Sequence, residues 1–507
     1  MGQITWVKTV NQLLRGVDRL VVVGQRARLE EVSTAFPADM AGTLNALFVS
    51  SSDSMPSATS LTGRARPTWV GWVTLPHESS RHNHPARPDA LPRLVGPHLD
   101  PSARKVAVVL VGPEAHRVPL TNALYRCLPA YGKNRAPEVQ ALWLDESHRP
   151  VSLPSRITDV AEAARQAASW VDTPPSEMHP ARFAEVAKEL LSARRGVKLT
   201  EVVGERLAAA GLGGIYGVGK AAEVPPRMLV ATTGPKTGPH VALVGKGVTF
   251  DTGGLHLKAR GSMEGMKSDM GGAAAVLGAF DVLSKRKLPI RVTAVICLAE
   301  NAIGPAATKP DDILTLHSEK TVEINNTDAE GRLLLADGVS WAARKLGADT
   351  VIDAATLTGA QLVSTGLLHA SVVASDEAVE RALVEAGRAT GDLAHPLLFA
   401  PELFQQEFKS PVADMRNSVK NRMNAQASCA GQFIFSHLEG TGVRWGHVDL
   451  AGPAFRGERG TGFGVALLAE AVERLAETRS APRSKSAKAK AAKTKSRSKK
   501  RPSKSRS

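Results

Sequence analysis

The stretch VALVGKGVTF, at residues 241–250, is apolar and rich in β-branched side chains, which is typical of a buried β-strand. Similar runs follow at 290–299 (IRVTAVICLA), 349–357 (DTVIDAATL) and 445–452 (WGHVDLAG). Helical segments such as GGAAAVLGAFDVL, at 271–283, separate them. Because strands that alternate with helices build a sheet covered on both faces, these segments predict an α/β domain with a mostly parallel central sheet.

A second, smaller α/β domain is predicted at residues 1–150, upstream of this one. Its strand-like runs are LVVVG at 20–24, KVAVVLVG at 105–112 and VQALWLD at 139–145. The Pro-, His- and Arg-rich stretch TLPHESSRHNHPARPDALP lies between them and predicts a long surface loop. The periodicity of SRITDVAEAARQAASWVD indicates a helical connector at 151–172, so that the larger domain occupies 173–478.

Length and cysteine usage bound the class of protein. At 507 residues with 43% hydrophobic side chains, the chain is long enough for two or three cores. No run approaches the roughly 20 apolar residues that span a bilayer, and the first twenty residues lack the apolar block of a secretory signal. The cysteines, Cys127, Cys297 and Cys429, are few and widely separated. This pattern favours a reduced, cytoplasmic protein over a disulfide framework.

The net charge of +15 is concentrated at the carboxy terminus. Residues 481–507 contain twelve Lys or Arg and no acid, which leaves 52 basic against 49 acidic residues in the rest of the chain. Such a composition cannot bury apolar surface, so 479–507 is predicted to be a disordered Lys/Arg/Ser-rich tail. Two interpretations stay open: weak, nonspecific nucleic-acid binding by 481–507, or a solubilising extension. Without aromatic side chains, sequence-specific recognition is not expected.

Two motifs resemble binding sites but favour simpler explanations. In GLGGIYGVGKA, at 211–221, Ala221 stands where a phosphate-binding loop needs Ser or Thr, and no strong strand precedes the motif. A turn-rich loop is predicted there instead. His77, His82 and His84 have a spacing that zinc sites use, but Pro and Arg surround them. A surface loop is the favoured interpretation.

Charged side chains gather around the end of the strand at 241–250. Lys246 and Asp251 flank this end, Lys258 follows a Gly-Gly turn, and Asp269 precedes the next predicted helix. The carboxyl ends of strands in an open α/β sheet are where such folds place their active sites. Taken one at a time, each of these charges is explained as well by a solvated loop.

The segment INNTDAEGRLLLAD, at 324–337, adds three more charges. Asp328, Glu330 and Arg332 are spaced two apart, and positions two apart point the same way on an extended backbone. We therefore expect them to converge on one spot. The small Ala329 and Gly331 would allow the backbone to pass close to that spot, and the apolar run that follows would anchor the segment in the core.

Four carboxylates cannot share one pocket without cations, because their mutual repulsion would raise their pKa values. Lys258 and Arg332 offset part of the charge, and one or two divalent metals would offset the rest. Oxygen ligands with few histidines suit magnesium, manganese or zinc. A buried Lys246 becomes a ligand only where burial and a neighbouring dication keep it neutral.

At these residues the sequence resembles the leucyl aminopeptidase, or cytosol aminopeptidase, family. The family signature NTDAEGR occurs intact at 326–332, and a second block occurs as GKGVTFDTGG and MEGMKSDMGGAA. Further matching motifs are WVDTPPSEMHP (170–180), VGKAAEVPPRML (218–229), DAATLTGA (353–360) and HVDLAGPAF (447–455). The segment at 412–438 departs from the usual Gly-rich pattern and is similar to the family's probable aminopeptidase-like branch.

The resemblance implies a macro-like amino-terminal domain and a catalytic domain that binds two divalent metal ions. Manganese or zinc would fill the sites, with magnesium as an alternative in one of them. Five metal ligands are implied: Lys246, Asp251, Asp269, Asp328 and Glu330. Asp251 and Glu330 would bridge the two ions. Lys258 and Arg332 would be the catalytic pair, with a bicarbonate ion held at Arg332 as the general base.

The same resemblance implies a homohexamer and a pocket for leucine-like side chains at the amino terminus of peptides. The pocket residues would be Met266, Thr356, Gly359, Ala451 and Ala454. Met266 is soft and adaptable, which suits apolar side chains. The small Ala454 is compatible with a wider pocket or with a repacked wall of unchanged preference.

Two other functions are considered besides a metal-dependent exopeptidase. One is a nucleic-acid-binding or regulatory protein that acts through the basic tail. The other is a catalytically inactive homologue, which is disfavoured because every expected metal and catalytic position is filled.

Overall fold

The computed structural model describes residues 2–99, 102–132 and 136–480. The predicted tail therefore lies outside the described residues from position 481 onward. Within the described ranges, no helix combines the length and the apolar character that a membrane span needs.

The amino-terminal region is a seven-stranded sheet with a layer of apolar side chains on each face. Its strands are β1 (Ile4–Trp6), β2 (Arg19–Gln25), β3 (Ser57–Leu61), β4 (Trp69–Leu75), β5 (Lys105–Val111), β6 (Glu138–Leu144) and β7 (Pro150–Val151). Its helices are α1 (Val10–Leu13), α2 (Arg26–Leu29), α3 (Ala38–Ser50), α4 (Leu91–Val95) and α5 (Arg117–Arg126). The order is β1-β6-β5-β2-β4-β3, with the short β7 paired to β6, and the pairs within β1-β6-β5-β2-β4 are parallel. The predicted smaller α/β domain is confirmed.

Helix α6 (Ser155–Asp172) lies between this sheet and the rest of the chain. Arg165 donates hydrogen bonds to the backbone carbonyls of Leu128 and Gly2, both at 2.6 Å. At the other end of the helix, Asp172 accepts from the backbone N–H of Gly460 at 2.7 Å. The helix is thus bonded to the amino-terminal region and to the carboxy-terminal part of the chain.

The remaining strands and helices form the larger region. The strands are β8 (Lys198–Val203), β9 (Arg227–Thr233), β10 (His240–Asp251), β11 (Arg291–Asn301), β12 (Ile313–Thr315), β13 (Thr321–Glu323), β14 (Thr350–Ala355), β15 (Ala370–Ala374), β16 (Ala394–Pro396), β17 (Met415–Arg416), β18 (Arg444–Asp449), β19 (Phe455–Arg456) and β20 (Arg459–Gly460). The helices are α7 (Pro180–Ser192), α8 (Glu205–Ala209), α9 (Gly213–Gly219), α10 (Gly271–Ser284), α11 (Gly331–Ser340), α12 (Gly359–Thr365), α13 (Glu377–Thr390), α14 (Pro401–Phe404), α15 (Gln426–Ser436), α16 (Ala451–Ala454) and α17 (Val465–Ser480).

Eight of these strands form one sheet in the order β16-β15-β18-β14-β10-β11-β9-β8. The central four, β18, β14, β10 and β11, are parallel, whereas β8, β9 and the β15–β18 pair are antiparallel. Strand β10 is buried along almost its whole length, with one apolar cluster on each face of the sheet. This burial explains its uninterrupted apolar sequence, and the predicted mostly parallel sheet is confirmed.

The prediction of a turn-rich loop at 211–221 is wrong, because residues 213–219 form α9. Its glycines allow close packing: a Cβ on Gly214 would lie 2.4 Å from the carbonyl oxygen of Leu333, and one on Gly213 would lie 2.1 Å from that of Thr315. The glycine run therefore marks a helix pressed against its neighbours rather than a flexible turn.

The histidine-rich loop is only partly a surface loop. His77 is exposed, but His84 is buried and its Nδ1 accepts from the backbone N–H of Ala86 at 2.9 Å. Among the described residues, none of the three histidines of this loop belongs to a cluster of His, Cys or carboxylate side chains arranged to hold a metal.

Candidate metal centre

Strand β10 places two of the predicted site residues. Lys246 lies inside the strand beside Cys297 of β11, and Asp251 ends it. The two strands slip out of register between Val248 and Asp251, so the strand is irregular just before the site. Asp251 Oδ1 accepts from the Asn301 amide and from the Gly253 backbone N–H, both at 2.8 Å. These bonds leave Asp251 Oδ2 to face the cluster.

The Lys246 ammonium lies between two buried carboxylates. Its Nζ is 2.8 Å from Asp269 Oδ1 and 2.9 Å from Glu330 Oε1, and it donates to the Thr356 carbonyl at 3.0 Å. Burial alone would lower the pKa of Lys246, but the carboxylates of Asp269, Glu330 and Asp251 outweigh burial and raise it. Among the protein groups alone, Lys246 is therefore a cation.

Lys258 repeats this arrangement on the outer side of the cluster. Its Nζ is 2.7 Å from Asp251 Oδ2 and 2.5 Å from Asp328 Oδ1. Burial opposes its charge, but the nearby carboxylates raise its pKa above the ordinary lysine value. Because Asp328 keeps 36% of its side chain exposed, this pair is open to solvent in a way that the Lys246 pair is not.

Residues 328–332 do not form the extended backbone that was predicted. Their charged side chains nevertheless converge on one site. Residues 327–328 form a turn, Glu330 has helical angles (φ −75°, ψ −39°), and α11 begins at Gly331. A turn followed at once by a helix start therefore brings Asp328 and Glu330 together. The following run, 333–336, is buried on α11 and anchors the segment as predicted.

Gly331 allows the side chain of Lys246 to reach Glu330. A Cβ at this position would lie 2.4 Å from Lys246 Cε and 2.5 Å from its Nζ. The glycine is thus required by a lysine from a strand 85 residues earlier in the chain. Sequence reasoning expected a close approach at Gly331 but could not identify the partner.

Arg332 is positioned by Asn417, a residue that was not predicted from the sequence. Its Nη1 donates to the backbone carbonyl of Asn417 at 2.9 Å, and its guanidinium lies 5.9 Å from the centre of the Phe433 ring. The Asn417 side chain donates to the carbonyls of Asn326 and Ala329, at 2.6 and 3.2 Å. Burial lowers the pKa of Arg332 to about 10, which still leaves it a cation at neutral pH.

The protein groups fit divalent cations. Asp251, Asp328 and Glu330 each offer a carboxylate oxygen, and the three atoms lie within 4.8 Å of one another. Asp269 Oδ2 is buried and accepts no hydrogen bond from any described residue. Burial, followed by the neighbouring carboxylate of Asp251, raises the pKa of Glu330. Crowded, buried oxygen atoms of this kind are the ligands that hard cations require.

A pocket of about 470 Å³ opens onto the cluster. Four of the five predicted substrate-pocket residues line it: Met266, Thr356, Gly359 and Ala451. Ala454 is not among its lining residues; it is buried, close to Gly271. Thr356 also touches the cluster itself, since its Oγ1 donates to Asp269 Oδ1 at 2.9 Å. The lining residues that the sequence did not identify include Leu362, Ser418, Arg422, Gln426 and Phe455.

Known proteins match this chain in both regions. The family model described as "Cytosol aminopeptidase family, catalytic domain" matches residues 165–469, and "M17 aminopeptidase N-terminal domain 2" matches 18–136. The probable aminopeptidase NPEPL1 of Mus musculus is 46% identical over 423 residues, which are 80% of this chain and 79% of that protein.

Solved structures agree with these matches. A leucyl aminopeptidase of Trypanosoma brucei in complex with bestatin has a TM-score of 0.86 and 34% identity, covering 93% of this chain and 96% of that one. The bottromycin maturation enzyme BotP in complex with Mn has a TM-score of 0.74 and 28% identity, covering 90% and 99%. Because the catalytic-domain model matches more than half of the chain, including the eight-stranded sheet, the strand that carries Lys246 and the acidic turn, this chain belongs to the cytosol aminopeptidase (M17) family of peptidases.

Proposed function

We propose that this protein is a two-metal aminopeptidase that hydrolyses the amino-terminal residue from peptides, with leucine or similar apolar residues preferred. The observation that carries the proposal is the approach of the Asp251, Asp328 and Glu330 oxygens to within 4.8 Å in the floor of a pocket. The proposed metal pair would bind a free amino terminus as a neutral amine, which favours exopeptidase over endopeptidase action.

The five predicted ligands divide between two ions. Lys246, Asp251, Asp269 and Glu330 would hold the tighter one, and Asp251, Asp328 and Glu330 the more exchangeable one. Manganese or zinc is proposed, with magnesium as an alternative in one site, on the basis of the oxygen-rich ligand set and the manganese complex of BotP. When bound, such a pair lowers the pKa of water and polarises the peptide carbonyl.

Lys258 is proposed to stabilise the oxyanion that develops on the scissile carbonyl. Its ammonium is paired with Asp251 and Asp328, which are proposed metal ligands. Cations on those carboxylates would take over their charge and leave Lys258 directed into the pocket. An ammonium held there stabilises charge that exists mainly in the transition state.

Arg332 is proposed to hold a bicarbonate ion that moves the proton during hydrolysis. Its guanidinium presents a planar fork, which suits a planar anion. The Asn417 carbonyl and the Phe433 ring fix one side of the guanidinium, and Nε has no hydrogen-bond partner among the described residues. Donor capacity is thus left for an anion.

The apolar wall of the pocket supports the proposed substrate preference. Met266, Leu362 and Phe455 contribute apolar side chains to the pocket lining, together with the small Gly359 and Ala451. An apolar amino-terminal side chain placed there would leave water, which favours binding by about 25 cal/mol per Å² of apolar area buried.

We also propose a cytoplasmic location and a homohexameric assembly, as the family resemblance implies. Light scattering during size-exclusion chromatography measures the assembly. A mass equal to that of a monomer would contradict it.

Hydrolysis of a leucyl reporter amide tests the function. We expect turnover that a chelator removes and that added manganese or zinc restores. Replacing Glu330 by Gln should lower kcat by about 10²–10³ or more, because it removes a shared ligand. The matched control is Glu201→Gln, at the edge strand β8, where Glu201 pairs with Lys188 and Arg227. Turnover that is independent of metal, or unaffected by Glu330→Gln, would contradict the proposal.

A further inference from the structure

One cation that lines the pocket has no partner among the residues that the structure describes. Arg422 lies in the loop between β17 and α15, is exposed, and lines the same pocket as the carboxylate cluster. It forms no hydrogen bond or ion pair with any residue that the structure describes. The other pocket cations are engaged: Lys246 and Lys258 by carboxylates, and Arg332 by the Asn417 carbonyl.

The loop that presents Arg422 is fixed at its base. Glu407 accepts from the Asn421 backbone N–H at 2.9 Å and from the Asn424 side chain at 2.8 Å, and its carbonyl accepts from the Lys420 N–H at 3.1 Å. These three bonds are made by residues 420, 421 and 424, on both sides of Arg422 in the chain. The loop also follows directly on Asn417, which holds Arg332 and the acidic turn. The guanidinium of Arg422 is therefore carried on a backbone tied to the reaction centre.

The chemistry of the pocket walls assigns a position to each part of a peptide. The amino terminus belongs at the proposed metal centre, and an apolar first side chain belongs beside apolar lining residues such as Met266 and Phe455. The rest of the peptide must then follow the remaining wall. Polar side chains that line the pocket include Asn326, Ser418, Arg422 and Gln426, and hydrogen bonds join residues 325–326 to residues 417–418. A pocket of about 470 Å³ has room for only a few residues.

On the basis of the proposed function, we propose that Arg422 binds the carboxy-terminal carboxylate of short peptide substrates and so selects peptides of two or three residues. Arg is suited to this role because its fork grips a carboxylate with two parallel hydrogen bonds. In a short peptide the carboxylate lies inside the pocket, within reach of this wall. In a longer peptide it lies outside, and the contact is lost.

The test compares the hydrolysis of a dipeptide with the hydrolysis of its carboxy-terminal amide. The specificity ratio is kcat/KM for leucylglycine divided by kcat/KM for leucylglycinamide, measured with manganese-loaded protein. We expect Arg422→Gln to lower this ratio about tenfold, mainly through a higher KM for the free acid. Arg422→Lys should give a specificity ratio between those of Arg422→Gln and the wild type. High salt should lower the wild-type ratio, because the contact lies at an exposed rim.

Lys420→Gln is the matched control. It removes one positive charge from the same loop at an exposed position that does not line the pocket, and it should keep the wild-type ratio. Equal ratios in the wild type and in Arg422→Gln would overturn the assignment of Arg422, and so would an equal decrease in Lys420→Gln. If the wild type hydrolyses neither peptide nor the leucyl reporter, the proposed function itself fails. The two failures are therefore distinct.

Discussion

Helix α11 carries two buried carboxylates that are stabilised in different ways. Glu330, at its start, is 2% exposed and lies 2.9 Å from the Lys246 ammonium. Asp337, two turns along, is fully buried and accepts from the backbone N–H groups of Ile215 and His317, both at 2.9 Å. Burial raises the pKa of both groups, that of Asp337 to about 7.

This difference in hydrogen-bond partners distinguishes a carboxylate suited to ligate a metal from one that stabilises the fold. The Glu330 carboxylate, paired with a side-chain cation, is suited to bind a metal ion, whereas both oxygens of Asp337 accept from backbone N–H groups. Asp337 ties α11 to α9 and to the segment after β12, and so fixes the helix whose first turn presents the proposed ligands. The first turn of α11 is suited to bind metal, and Asp337, near the other end, holds the helix in place.

The largest effect is expected from Lys246→Met. In chelator-treated protein the change leaves Asp269 and Glu330 buried without their shared cation. Breaking a buried pair from one side typically costs about 3–5 kcal/mol of unfolding free energy. Urea unfolding measures this loss, and elemental analysis of reloaded protein should show less bound metal. Lys420→Met, at an exposed position, is the control, and an equal stability of the Lys246 and Lys420 variants would contradict the prediction.

Lys258→Met should affect activity more than stability. Its Asp328 partner is partly solvated whereas its Asp251 partner is buried, so we expect a smaller loss of unfolding free energy than for Lys246→Met. The loss of the proposed oxyanion contact should lower kcat for the leucyl reporter by about 10²–10³. Wild-type turnover in a variant with normal metal content would show that Lys258 has no catalytic role.

Asp337→Asn tests the second kind of carboxylate through pH. Because the pKa of Asp337 is raised from 3.8 to about 7, the folded state binds its proton more tightly than the unfolded state does. The stability that this proton provides is present at low pH and is lost as pH rises from about 4 to 7. Between pH 5 and 8, the wild type should lose about 2–3 kcal/mol relative to the variant. Urea unfolding at both pH values measures this, and parallel pH profiles would refute it.

The smallest effect is expected from Gly331→Ala. The added methyl would meet Lys246 Cε at 2.4 Å and displace the ammonium from Glu330. We expect a loss of about 1–2 kcal/mol, as for overpacking, and weaker metal binding. Gly42→Ala is the control, since a Cβ there meets no atom within 4 Å, and helix propensity favours the change. Thermal unfolding compares the two, and a Gly331 variant as stable as the Gly42 variant would remove the proposed steric reason for this glycine.

Sequence reasoning succeeded where the signal is local. Strand β10 is continuous and apolar because both of its faces are buried, and the regular periodicity of 155–172 predicted the helix that α6 forms. It failed at α9, where the glycines that resemble a turn serve close contacts with Thr315 and Leu333. At Gly213 and Gly331, close contacts with residues far along the chain explain why a glycine is needed.

Asn417 illustrates the same limit for the site. It lies 85 residues from Arg332 and touches it through a backbone carbonyl, which every residue possesses, so its identity carries no signal of that contact. Asp337 is missed for a related reason. An acid after a run of leucines is an ordinary helix residue until the fold shows that it is buried on all sides.

By itself, the sequence determined the α/β class, the two regions and the set of charged residues that belong together, because hydrophobic period and unusual charge are written locally. Only the tertiary structure decided how the charges pair: Lys246 with Asp269 and Glu330, Lys258 with Asp251 and Asp328. It alone also showed that Arg422, which lines the pocket, has no hydrogen-bond or ion-pair partner among the described residues. The physical reason is that electrostatic energy depends on distances between atoms, and those distances exist only once the chain has folded.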